Sequence, residues 1–110
     1  MEDSLEKTQI LKGILEGCIL EIIHSQNTYG YGILEILKKV GFADITEGTI
    51  YPLLIRLEKQ GLLAAEMRNS PLGPKRKYYT LTEKGEEERA MFSKEWKKLR
   101  TSVDALMEER

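Results

Sequence analysis

The side chains with the most chemistry to offer are cations and hydroxyls, and they cluster. Arg68, Lys75, Arg76 and Lys77 flank Asn69-Ser70-Pro71-Leu72-Gly73-Pro74, a stretch built of turn formers. Three consecutive cations beside Gly73-Pro74 make a compact positive tip. Paired with phosphates, such a tip releases counterions and makes binding strongly salt dependent. The plainer reading is a solvated edge strand guarded by lysine. Upstream lies Thr46-Glu47-Gly48-Thr49-Ile50-Tyr51-Pro52. Gly48 lets a backbone approach closely. Thr49 offers a hydroxyl to a phosphate or base edge and a methyl to thymine. Tyr51 is aromatic with a donor at its tip, and Pro52 shares its outer surface. Arg56, one helical turn on, reaches a phosphate. Against this, Tyr51 packs on the hairpin as readily, and Arg56 forms a surface ion pair as readily.

Other chemistries find less support. His24 is the only histidine and closes an apolar segment, where a capped or half-buried ring outweighs a general base. Cys18 falls on an apolar face, where a free thiol behaves as a small hydrophobe. No Cys/His group has zinc spacing and the glycines form no phosphate loop, so neither metal nor cofactor nor enzymatic activity is expected.

Charge sharpens the picture. The 110 residues carry 17 Lys+Arg and 18 Asp+Glu, a net charge of -1 that does not advertise a nucleic-acid binder. The total conceals a division: residues 1–46 are net -3, residues 47–80 net +3 and residues 81–110 net -1. Local asymmetry guides partner choice better than the sum. The length is that of one domain, and 41% apolar residues suffice for a core. No apolar run approaches a membrane span. The acidic start and the single cysteine predict a cytoplasmic protein without a secretion signal or internal disulfide.

These residues need elements to hold them. Apolar residues from Ile10 to Ile23, at spacings of three and four, predict a first helix over about Ser4 to His24. Asp3 with Glu6 resembles a capping box. A turn over Asn27 to Gly32 leads to a second helix, about Gly32 to Val40, with Gly41 at its C-terminal cap. Thr46 is the expected N-cap of a third helix running to about Gln60, and Gly61 ends it. Pro52 distorts the early part of that helix without breaking it, helped by the missing Cβ of Gly48. Extended segments over about Leu63 to Arg68 and Arg76 to Leu81 form a hairpin. Thr82 then caps a long helix to about Glu109, whose Phe92, Trp96, Leu99, Val103 and Leu106 follow a heptad seam.

Helix, helix, helix, hairpin, helix is the order of a winged helix-turn-helix. The third helix then enters the major groove by its N-terminal end. Strand alternation puts Lys75 and Lys77 on one face and Arg76 on the other. Tyr29, before the second helix, abuts the DNA backbone or packs in the core, and Lys12 is a weaker candidate of the same kind. A winged helix that binds only protein is the rival from another class, and the retained cations argue against it.

Together these residues resemble the PadR family of winged-helix transcriptional regulators. The match rests on Tyr29-Gly30-Tyr31-Gly32-Ile33, on Glu47-Gly48-Thr49-Ile50-Tyr51-Pro52-Leu53-Leu54, and on Lys75-Arg76-Lys77-Tyr78-Tyr79 followed by Leu81-Thr82-Glu83-Lys84-Gly85. Gly32 departs from the family, which usually carries a larger polar or acidic residue there. The resemblance implies a mainly α fold with a β wing, divided into a DNA-binding unit over residues 1–81 and a dimerisation helix over residues 82–110. It implies a homodimeric repressor on a palindromic operator in double-stranded DNA. The C-terminal helix packs on the partner's first helix, which places Leu11, Leu15, Phe92, Trp96, Leu99, Val103 and Leu106 at the interface. The single short C-terminal helix resembles the small branch with multidrug-sensing members, in which a tryptophan matching Trp96 stacks a planar aromatic ligand; the alternative is a dimer-core role for Trp96.

Overall fold

The computed structural model describes residues 10–11 and 13–108. The Asp3/Glu6 capping box, the expected helix start at Ser4, Lys12 and the expected helix end at Glu109 lie outside the described residues. Described elements are α1 (Ile14–Ser25), β1 (Thr28–Tyr29), α2 (Gly30–Lys39), α3 (Glu47–Lys59), β2 (Leu63–Ser70), β3 (Gly73–Leu81) and α4 (Glu83–Met107). The strands form an antiparallel sheet in the order β1-β3-β2. The fold is a winged helix-turn-helix with a long C-terminal helix.

Apolar spacing places the helices, and glycine ends them. Ile19, Ile33, Leu37, Ile50, Leu54 and Leu57 are fully buried and bring α1, α2 and α3 into one core. Gly41 has φ 124° and Gly61 has φ 80°, a region that a Cβ penalises. Each closes a Schellman motif. The Phe42 amide donates to the Leu37 carbonyl at 2.9 Å, and the Leu62 amide to the Leu57 carbonyl at 3.0 Å. Pro52 sits inside α3, which continues past it.

Three expectations need correction, and that of Thr46 as an N-cap is met by its backbone alone. The first helix is not continuous: Ile10 and Leu11 are helical, but Gly13 adopts φ 83° and α1 begins at Ile14. Apolar spacing runs on through Gly13, so periodicity alone does not register the break. The stretch from Asn27 to Gly32 is not simply a turn. Thr28 pairs with Tyr79 and Tyr29 with Tyr78, adding a third strand, and α2 starts at Gly30. Thr46 occupies the N-cap position of α3, yet its side chain makes no capping bond. Its backbone carbonyl instead accepts from the Ile50 amide at 3.2 Å. The hairpin is longer than expected, with only Pro71 and Leu72 between its strands and a register slip between Arg68 and Ser70.

Thr82 caps as expected. Its Oγ1 accepts from the Gly85 amide at 2.9 Å and donates to the Gly61 carbonyl at 2.6 Å. Its own amide donates to the Leu62 carbonyl at 3.1 Å. Gly85 is buried against that carbonyl with no room for a Cβ. The first part of α4 then packs on α1. The Phe92 ring lies over Gly17, where a Cβ would overlap it. His24 Nδ1 meets Glu86 Oε1 at 2.9 Å, and Arg89 meets Glu21 at 3.3 Å.

Candidate nucleic-acid interface

The buried stripe of α3 fixes what its other side presents. Ile50, Leu54 and Leu57 point into the core, so Tyr51 and Ile55 face outward, 40% and 52% exposed. The Tyr51 ring lies on Gly30 at the start of α2, so close that a Cβ there would strike it. Burial raises the Tyr51 hydroxyl pKa, Glu47 raises it further and Arg76 opposes them. The hydroxyl therefore stays a neutral donor at physiological pH. Gly48, Thr49 and Pro52 are exposed at the same end of the helix.

The wing closes the other side. Tyr31, Tyr51, Ile55, Lys75, Arg76 and Lys77 all line one open groove of roughly 440 Å³ between α3 and β3. The wing cations are not equivalent. Lys77 Nζ is held by Glu58 Oε1 of α3 at 2.9 Å, and that hydrogen bond is the main reason its pKa is raised. Arg68 meets Glu66 at 3.3 Å and lies over the Tyr78 ring. Arg76 lies over the ring of Tyr29. Among the described residues, Lys75 and Arg76 are the wing cations that no carboxylate holds.

Sequence and structure part company at Arg56. It bonds Glu16 of α1, with Nε 2.8 Å from Oε2. Together with Thr49 and Leu53 it lines a separate cleft of roughly 280 Å³ beside α1. Arg56 is thus not gathered with Tyr51 and the wing; the surface ion pair is what forms. Tyr29 and Tyr31, the tyrosines expected to abut the backbone before the second helix, do line the groove, and so does Ile55, which its residue type does not mark. The readable signal for Ile55 is its position one helical turn beyond Tyr51.

The residues expected at a subunit boundary divide as well. Leu15 is 5% exposed in its own chain's core and has no surface to offer. Leu11, Cys18, Ile22, Val40, Phe92 and Trp96 line an apolar groove of roughly 570 Å³. Beyond it, Leu99, Val103 and Leu106 are 59%, 52% and 80% exposed. Burial, then the charge of Glu21, raises the pKa of the Cys18 thiol. No three His, Cys, Asp or Glu side chains converge among the described residues. No described helix is long and apolar enough to cross a membrane.

A helix-turn-helix with an exposed third helix beside a cationic wing defines a DNA-binding regulator. Comparison with known proteins agrees. The profile of the Transcriptional regulator PadR-like family matches residues 19–91. The crystal structure of a PadR-like transcriptional regulator from Bacillus cereus is 46% identical, covers 93% of this chain and 99% of its own, and superposes with a TM-score of 0.85. A Streptococcus transcriptional regulator is 44% identical over 93% of this chain and 100% of its own, with a TM-score of 0.84. An uncharacterized protein of Lysinibacillus sphaericus is 34% identical over 104 residues, 93% of this chain and 95% of that protein. The chain belongs to the PadR-like transcriptional regulator family.

Proposed function

We propose that the chain works as a homodimeric repressor that binds a palindromic operator and is released by a small planar aromatic ligand. Residues 1–81 form the DNA-binding unit, residues 82–110 the dimerisation helix, and the setting is the cytoplasm. The observation that carries the reading is the groove in which Tyr51 and Ile55 of α3 face Lys75 and Arg76 of the wing. Gly48, Thr49, Tyr51 and Pro52 enter a major groove, with Ile55 behind them. The wing cations meet the adjacent backbone. Tyr51→Ala is expected to weaken specific binding by about 1–3 kcal/mol. Footprinting on the gene's own upstream region checks this; an unchanged footprint at unchanged protein concentration removes Tyr51 from recognition.

The dimer reading rests on Leu99, Val103 and Leu106, whose apolar surface has no cover within the described chain. Two copies would set their α3 helices in successive major grooves about one DNA turn apart. A planar ligand stacked on Trp96 between subunits would alter that spacing, and coupling of about 1–3 kcal/mol suffices for a switch. Quenching of Trp96 fluorescence by flat aromatic dyes, with loss of operator binding, tests the ligand step. Dye binding that survives Trp96→Ala would place the pocket elsewhere.

A further inference from the structure

Beside the groove, the sheet carries an arrangement that cationic charge alone does not require. Tyr29 of β1 and Tyr78 of β3 are partners in register. Their ring centroids are 5.3 Å apart with planes tilted by 55°. The guanidinium carbon of Arg76 lies 4.4 Å from the Tyr29 centroid. That of Arg68 lies 4.8 Å from the Tyr78 centroid. Arg68 and Arg76 are themselves directly opposed across β2 and β3. Like charges in cross-strand register repel each other, and here each cation sits on the electron-rich face of a different ring.

We propose that Tyr29 and Tyr78 are positioning residues, an aromatic floor that holds Arg76 and Arg68 as a preformed clamp for DNA phosphates. The proposal rests on the DNA-binding reading above. Stacking occupies the flat face of a guanidinium and leaves its N–H edge free. That edge is what a phosphate takes in paired hydrogen bonds. A guanidinium already held in place loses less freedom on binding than one that swings in water. Lysine has no flat face to stack, which distinguishes this role from simple charge. The two arginines contribute unequally. Glu66 holds Arg68 Nε at 3.3 Å, whereas Arg76 has no ion-pair partner among the described residues, so Arg76 takes the larger share. The rings, not the tyrosine hydroxyls, do the positioning.

The test is anisotropy titration of a fluorescent mixed-sequence duplex across a salt series, since phosphate contacts are read without a defined operator. Arg76→Lys keeps the charge and touches no core residue. It is expected to weaken binding roughly two- to fivefold, the ordering cost of about one side chain that a preformed guanidinium avoids. Tyr29→Phe keeps the ring and should bind as the unaltered chain does. Tyr29→Leu should lose the same factor as Arg76→Lys, and nothing more when combined with it. Unaltered affinity in Arg76→Lys overturns the clamp, because charge alone would then suffice. Equal losses in Tyr29→Phe and Tyr29→Leu overturn it too, because the hydroxyl would then be the contact. Failure of the unaltered chain to bind any duplex at low salt would instead remove the DNA-binding reading itself.

Discussion

Along α4, one spacing of apolar residues meets two different surroundings. From Glu83 to Phe92 the helix is docked: Gly85 lies under the Leu62 carbonyl, Phe92 covers Gly17, and Glu86 and Arg89 reach His24 and Glu21 of α1. From Trp96 onward the seam continues, but Leu99, Val103 and Leu106 project from the described chain uncovered. The helix is equally regular in both parts. Docking therefore follows from what lies opposite, not from the residues of α4 themselves. The docked part belongs to the stability of one chain, and the projecting part is the surface that the proposed dimer would cover.

Substitutions in the two parts should separate these roles. Leu99→Ala combined with Val103→Ala should weaken dimerisation by about 4 kcal/mol per dimer, close to a thousandfold in Kd, with each protomer still folded. Sedimentation equilibrium reads the first effect and circular dichroism the second; a dimer of unchanged strength would break the contrast. Gly85→Ala should do the reverse. Its Cβ meets backbone that cannot give way, so unfolding free energy should fall by about 2 kcal/mol in denaturant. Gly17→Ala should cost less, about 1 kcal/mol, because what its Cβ strikes is the Phe92 side chain, which can shift as a whole, and not backbone. Urea titration of the two glycine variants checks that order.

The smallest effect is kinetic. The raised pKa of Cys18 keeps its thiol protonated near neutral pH, so alkylation should be slower than for a free cysteine. The stability linked to that neutral thiol is fully present below the ordinary thiol pKa and is lost as pH rises through the folded value. Cys18 also lines the groove beside Trp96. Its labelling should therefore slow further as chain concentration rises, if the seam and groove are covered together. A labelling rate independent of concentration would confine the interface to the far end of α4.

What could be read from sequence was local. Gly41 and Gly61 mark helix ends because positive φ favours glycine, and Thr82 marks a helix start because its hydroxyl meets the Gly85 amide. The wing and the outward position of Tyr51 follow from turn formers and a stripe of Ile50, Leu54 and Leu57. The unread features depend on a distant neighbour. Two residues such as Thr28 and Tyr29 become a strand only because Tyr78 and Tyr79 lie alongside. Arg56 turns to α1 because Glu16, forty positions away in the chain, is there to meet it. Lys77 loses its freedom to Glu58, and the Arg76 stack requires β1, which periodicity does not reveal.

Thr82 has a mechanical consequence. Through its amide and hydroxyl it fastens the start of α4 to Gly61 and Leu62, the residues that end α3. Lys84 adds a bond to the Gln60 carbonyl at 3.2 Å. The stretch from Glu83 to Phe92, docked on α1, is thereby a brace, and only the part of α4 beyond it projects as an arm. From Phe92 to Met107, at about 1.5 Å per residue, that arm is roughly 22 Å long, so a tilt of about 10° at its root sweeps the far end by roughly 4 Å. In reverse, leverage is lost in distance and gained in force. A broad displacement at the tip would reach α3 only as a small, firm adjustment, shared with α1.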